Sequence, residues 1–251
     1  MHPLYYKTFN AWGLVSVSQG TYLCSYYHRM RQFFAKYKPL ALVMAVLSLV
    51  IISIIYQALK PVPKLRIYQP NDVHPDLVDT TLQHVKKYHQ IADFALVNQD
   101  GDTVTQDTFK DRIYVADFFF TTCATICPIM TEHMGQIQAQ LKNNPSVLLL
   151  SHSVMPEIDT VAQLKKYALS KGVISGKWHL VTGDKKEIYD LARKSYLVAK
   201  DQPYSPYDLV HTENFVLVDP QRRIRGFYDG TDPEAIETLM RDIAILQKEG
   251  Q

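Results

Sequence analysis

Residues 113–130 read "IYVADFFFTTCATICPIM". A short run of β-branched and aromatic residues, broken by one acid at Asp117, ends in Thr121 and Thr122. Two cysteines follow, Cys123 and Cys127, and Pro128 stands directly after the second. The run is too short for a helix and predicts a buried strand over Ile113–Phe120. Pro128 suits a first helical turn, so "PIMTEHMGQIQAQL" predicts the helix that follows. Both cysteines therefore belong to a strand-to-helix turn at the carboxyl end of a central strand, where open α/β sheets carry their sites. The positive end of a helix dipole also favours thiolate there.

The chain on either side of this turn alternates in the same way. Val147–Val154, Trp178–Thr182, Phe215–Asp219 and Ile224–Tyr228 read as strands. Asp159 or Thr160 can cap "VAQLKKYALSK", which Gly172 ends; Asp184 opens "KKEIYDLARKSY"; Asp232 and Pro233 start "EAIETLMRDIAILQKE" before Gly250. Each pattern opens on a polar cap, with proline at the first turn in the last of them, and the first and third end in a glycine. Strands alternating with helices predict an α/β sheet. Residues 60–90, with Pro61, Pro63, Pro70 and Pro75, read as a tether and irregular lead-in.

The chain has 251 residues and a net charge of +2, which gives no case for a nucleic-acid partner. Residues 1–59 contain no Asp or Glu. Within them, Leu40–Leu59 carries no charge at all, and at about 1.5 Å per residue it reaches across a hydrocarbon core of roughly 30 Å. It is too long for the apolar part of a cleaved signal peptide and no A-x-A site follows, so a single uncleaved signal-anchor is expected. Arg29, Arg31, Lys36 and Lys38 precede it, while Asp72, Asp76 and Asp79 soon join the bases that follow. That bias places the N-terminus inside and the C-terminal part in the periplasm. The expected division is 1–39 cytoplasmic, 40–59 transmembrane, 60–87 tether and lead-in, and 88–251 the cysteine-bearing domain. Residues 1–29 are Tyr-rich without clear pattern, and Met30 opens "MRQFFAKYK", itself a suitable signal-anchor start. A mitochondrial presequence is the alternative, with the domain then facing the intermembrane space, although the Arg and Ser richness of such sequences is missing.

Three chemistries are open to the cysteine pair. It can be a static disulfide or packing pair. It can be a redox dithiol, closing a disulfide if the Cα atoms stay within about 7 Å. It can also hold a metal, for which two soft thiolates and one imidazole suit copper. Structural zinc wants four ligands, and no second half-site is present. Cys24, the third cysteine, lies far upstream. Among the histidines, His74, His84 and His89 fall in the lead-in and are expected in solvent, whereas His133, His152 and His179 fall on elements and are expected in packing or at the surface. His211 differs, because it stands between the loop "DQPYSPYDLV" and the strand "NFVLVD". Asp117 is expected to be buried with a raised pKa, as a structural acid or as a proton acceptor for the thiols. Met130 and Met134 are expected in the core.

Four blocks in order, "DFFFTTCATICPIM", "SHSVMPEIDT", "TGDKKEIYDLARKSY" and "HTENFVLVDPQRRIRGFYDG", resemble the Sco/SenC family over roughly residues 88–249. These are thioredoxin-fold copper proteins of cytochrome c oxidase assembly. The resemblance implies a thioredoxin-like α/β fold, with a central mixed sheet flanked by helices behind one transmembrane helix. It implies one copper ion, as Cu(I) or Cu(II), on Cys123, Cys127 and His211. It also implies a metallochaperone rather than an enzyme, delivering copper to the CuA centre of oxidase subunit II and served by a periplasmic-side thiol reductant. The alternative is a thiol-disulfide oxidoreductase that keeps the subunit II cysteines reduced, with Cys123 and Cys127 as the redox pair and Asp117 as proton acceptor. Val210 stands where the family often has an aspartate, with Asp208 the nearest acid.

Overall fold

A computed structural model describes residues 7–60, 63–199 and 212–250, with side chains from residue 29 onward except 33 and 34. The chain divides into two compact units, Met1–Pro61 and Val62–Gln251.

The first unit is one helix, α1 (Lys7–Ala58), which runs through Pro39. Its stretch Ala35–Ala58 is long and apolar enough to cross a membrane, and none of that stretch is buried in the protein. The helix extends well upstream of the apolar run, through residues in which no pattern was legible. A helix satisfies its own backbone hydrogen bonds and needs no amphipathic period to do so.

The second unit follows the expected alternation. Its elements are β1 (Ala95–Asn98), β2 (Thr103–Thr105), β3 (Ile113–Phe119), α2 (Cys127–Leu141), β4 (Val147–Ser153), α3 (Val161–Lys171) and β5 (Trp178–Thr182). After these come α4 (Lys185–Asp190), continued as a π-turn over Leu191–Ser195, then β6 (Asn214–Val218), β7 (Ile224–Asp229) and α5 (Pro233–Glu249). They form one sheet in the order β2-β1-β5-β4-β3-β6-β7. β3, β4 and β5 run parallel, while β1, β6 and β7 pair antiparallel to their neighbours, so the sheet is mixed. Every residue of β3 and β4 is buried, as near-continuous apolar strands require when both faces are covered.

Alternation along β3 sorts its side chains. Tyr114, Ala116 and Phe118 enter the core layer formed with α4 and the lead-in. Ile113, Val115 and Phe119 enter the layer formed with α2, α3 and α5. Met130 and Met134 of α2 are completely buried in that second layer, as expected of core methionines.

Caps appear where the sequence placed them. The Thr160 hydroxyl accepts from Gln163 N and Gly172 closes α3 at φ 68°; Asp184 caps α4 and Asp232 caps α5. The strand expected at Phe215–Asp219 shifts by one residue, because Asp219 Oδ1 accepts the Gln221 and Arg223 N–H groups of the following turn. The hairpin β1–β2 was not anticipated. Its turn is built on Asn98, whose Oδ1 accepts from Asp100 N and Asp102 N, with Gly101 at φ 87°. The lead-in is irregular but strapped down. Tyr68 N donates to Ile224 O, and the buried Arg225 guanidinium donates to the carbonyls of Leu65 and Arg66 and to the carboxylates of Asp219 and Glu249.

Candidate metal centre

The cysteine turn leaves β3 at Phe119 and enters α2 at Cys127, with Pro128 in the first helical turn. Cys123 is half-buried, its N–H donating to Phe120 O at 3.2 Å. Cys127 is 4% exposed, and neither cysteine is in a disulfide. The intervening Ala124 and Thr125 are exposed. The pair is thus one accessible and one buried thiol, an arrangement open to redox and to metal chemistry.

Electrostatics splits the pair. Burial opposes ionisation of Cys123, but hydrogen bonds from the Cys127 thiol and the Thr125 hydroxyl outweigh it and bring its pKa down to about 7. Burial, and donation of its proton to Cys123, push Cys127 up to about 12. The helix-terminus thiol was expected to gain thiolate character. Its loss of solvent decides otherwise, because desolvation penalises the charged form more than the dipole favours it. One thiolate near neutral pH, hydrogen-bonded to a second sulfur, is a soft donor set that fits Cu(I).

Asp117 is 2% exposed and lies on the α2 face of β3, two residues from Val115 and Phe119. Burial raises its pKa to about 7, opposed by a hydrogen bond from Ser151, and its Oδ1 has no partner. The Ser151 hydroxyl in turn accepts from Trp178 Nε1 at 2.9 Å.

The histidines separate clearly. His74 and His84 are exposed. His89 is not solvated as expected: its Nε2 lies 2.8 Å from Ser195 O, and burial lowers its pKa. The lead-in folds back against the π-turn there, a long-range contact with no local signature. His133 Nδ1 lies 2.8 Å from Gly230 O. His152 is fully buried, stacked on Phe118 with centroids 4.8 Å apart, and burial pulls its pKa to about 3. His179 is buried beside Asn98. Among the described residues, no three His, Cys, Asp or Glu side chains come together to hold a metal. His211 and Asp208 lie outside the described residues.

Asp159 is the site residue that the sequence did not single out. It was a candidate cap for α3, but Thr160 takes that role, and Asp159 turns inward, completely buried, against Thr121 at the start of the cysteine turn. Two adjacent cap-forming residues offered no signal of which would face inward.

A protein-family model described as SCO1/SenC matches residues 83–247. A SCO1 protein homolog from Bacillus subtilis (strain 168) is 34% identical over 157 residues, covering 62% of this chain and 81% of the homolog. The structure of BsSco, described as a member of the Sco family of cytochrome c oxidase assembly proteins with a disulfide switch, matches with a TM-score of 0.54 and 33% identity, over 63% of this chain and 93% of that one. The structure of Arabidopsis thaliana ScoI with copper bound matches with a TM-score of 0.50 and 26% identity, over 61% and 97%. The shared fold is thioredoxin-like, a mixed sheet flanked by helices; in this chain the cysteine turn follows the interior strand β3.

Proposed function

The chain belongs to the SCO1/SenC family, and on that premise we propose that it is a copper-binding metallochaperone of cytochrome c oxidase assembly. Copper is its cargo, held by Cys123, Cys127 and His211 and passed to the CuA site of oxidase subunit II. The observation that carries this reading is the thiol pair itself. Cys123 is accessible and has a pKa of about 7, and Cys127 stands buried behind it with its thiol hydrogen-bonded to Cys123. His211 enters through the motif it shares with the family, as the imidazole that completes the site.

In this reading α1 anchors the protein in the inner membrane as a single-pass span, with the domain in the periplasm; a mitochondrial inner membrane facing the intermembrane space is the alternative. In an oxidising compartment the unoccupied dithiol loses two electrons and two protons to form a disulfide, which has no thiolate to offer a metal. A thiol reductant on the same side of the membrane restores it.

Asp117 favours a second reading, a thiol-disulfide oxidoreductase acting on the subunit II cysteines. A buried carboxyl with a pKa of about 7 can take a proton from a thiol near neutral pH.

A competition titration with a Cu(I) chelator tests both. Reduced protein is expected to take up one Cu(I), and protein oxidised at Cys123–Cys127 none. His211→Ala should keep the dithiol chemistry and bind copper at least about 10–100-fold more weakly, the loss typical of removing even an outer partner of a ligand. Equal loading of reduced and oxidised protein refutes the two-thiolate site. Unchanged copper affinity in His211→Ala, with impaired reduction of a model disulfide, favours the oxidoreductase.

A further inference from the structure

Asp159 is a completely buried carboxylate that, among the described residues, meets no Lys, Arg or His within ion-pair distance. It is held by neutral donors. Oδ1 accepts the Thr121 hydroxyl at 2.5 Å, and Oδ2 accepts the Thr121 N–H at 3.1 Å and the Ser153 hydroxyl at 2.5 Å. Gln163 Nε2, from the first turn of α3, donates to Thr121 Oγ1 at 3.0 Å. Val154 N donates to Phe119 O at 2.9 Å beside this cluster. The carboxyl ends of β3 and β4 and the start of α3 are therefore tied together at Thr121, two residues before Cys123.

Burying a carboxylate without a cation is expensive unless hydrogen bonds replace its hydration. A fold needs no such group merely to end a strand, since an apolar residue would fill the space. What the carboxylate supplies is a fixed anchor with several acceptor sites converging on one residue. The far end of the turn is held separately, where Met130 N donates to Ile126 O as α2 begins. Among the described residues, the one backbone–backbone hydrogen bond donated between Thr121 and Ile126 is that from Cys123 N to Phe120 O.

We infer that Asp159 is the positioning residue of the cysteine turn: by clamping Thr121 it fixes where the Cys123 sulfur stands relative to Cys127. Rearrangement between dithiol, disulfide and copper-bound forms is then confined to residues 122–126. The inference rests on the copper reading of this turn for one of its two readouts, and on dithiol chemistry alone for the other.

The test compares full-length wild-type protein with Asp159→Ala, Asp159→Asn and Thr121→Val. Thr121→Val removes one hydroxyl, keeps the backbone N–H and has nearly the same shape, so it stays folded if Asp159→Ala does not. Two quantities are measured at a temperature where thermal melts show the variants folded: Cu(I) affinity by chelator competition, and the dithiol–disulfide equilibrium in a glutathione buffer. Asp159→Ala and Thr121→Val are expected to bind Cu(I) about 10-fold more weakly and to shift the disulfide equilibrium, with Asp159→Asn nearer wild type because it keeps one acceptor oxygen. Copper affinity and disulfide equilibrium both unchanged in folded Thr121→Val overturn the inference. A wild-type protein that takes up no copper refutes the functional reading instead, and the disulfide equilibrium then judges Asp159 alone.

Discussion

Asp117 lies opposite Ser151 in the parallel β3–β4 ladder, and one of its carboxyl oxygens has no hydrogen-bond partner. Burial holds its pKa at about 7 in the folded protein, against about 3.9 in an unfolded chain. Between those values the folded state keeps a proton that the unfolded state has released. The Asp117 contribution to stability is therefore complete below about pH 4 and is lost as pH rises through about 7. At about 1.4 kcal/mol per tenfold difference in acid constant, the full span is on the order of 4 kcal/mol. Urea unfolding of reduced, metal-free protein from pH 4.5 to 8 should show this decline, and Asp117→Asn should flatten it. Parallel pH profiles for the two proteins would contradict a buried acid of this kind.

The two thiols should react very differently. In a Cys24→Ser background, iodoacetamide should modify Cys123 first, with a pH midpoint about 7, because Cys123 is accessible and its thiolate is stabilised. Cys127 should stay slow at neutral pH even in Cys123→Ser, because burial, the largest cause of its raised pKa, remains when Cys123 is gone. Mass mapping of the alkylated peptides decides the order. Equal rates at the two sites would show that the split is absent.

Arg225 should be costly to remove. Its side chain is 3% exposed and bridges Asp219, which is fully buried, to Glu249 and the lead-in carbonyls. Arg225→Ala takes this donor from Glu249 and from the Leu65 and Arg66 carbonyls, while Asp219 keeps Arg223 Nε at 2.7 Å, so the expected cost is about 1–3 kcal/mol. Arg225→Lys should recover little, since an ammonium cannot present the forked donors that reach four partners. Chemical denaturation measures both variants, and a loss below about 1 kcal/mol for Arg225→Ala would show that the strap contributes little.

Gly230→Ala should destabilise more than Gly183→Ala. A Cβ at Gly230 would stand 2.9 Å from the Glu213 carbonyl oxygen and 2.7 Å from the Phe215 ring, whereas at Gly183 the one close atom, at 2.7 Å, is a side-chain methyl, Leu96 Cδ2. Overpacking against backbone costs about 1–3 kcal/mol. Thermal melts that rank the two the other way round would show that the β6 start yields more easily than Leu96.

The membrane reading has its own test. A reporter fused after Gln251 that is active only in the cytoplasm should be silent if Arg29–Lys38 marks the inner side. Activity in that fusion reverses the orientation.

Periodicity and punctuation alone settled the order of elements from Ile113 onward. The apolar runs at Ile113 and Val147, the caps at Thr160, Asp184 and Asp232, and the turn glycine at Gly172 are local signals, since they depend on backbone hydrogen bonds within a few residues. The position of Cys123 and Cys127 on a strand-to-helix turn was legible for the same reason, and so was the burial of Asp117 within an apolar strand. Contacts between distant residues were not legible. That Asp159 faces Thr121 while Thr160 caps α3 depends on where β3 and β4 end side by side. That His89 packs on Ser195, and that Arg225 gathers the lead-in, depends on partners more than 100 residues away. The division of the thiols into one with a pKa of about 7 and one near about 12 also belongs to the tertiary structure. Sequence spacing fixes which side chains are neighbours along the chain, but desolvation is set by what the rest of the fold packs over each of them.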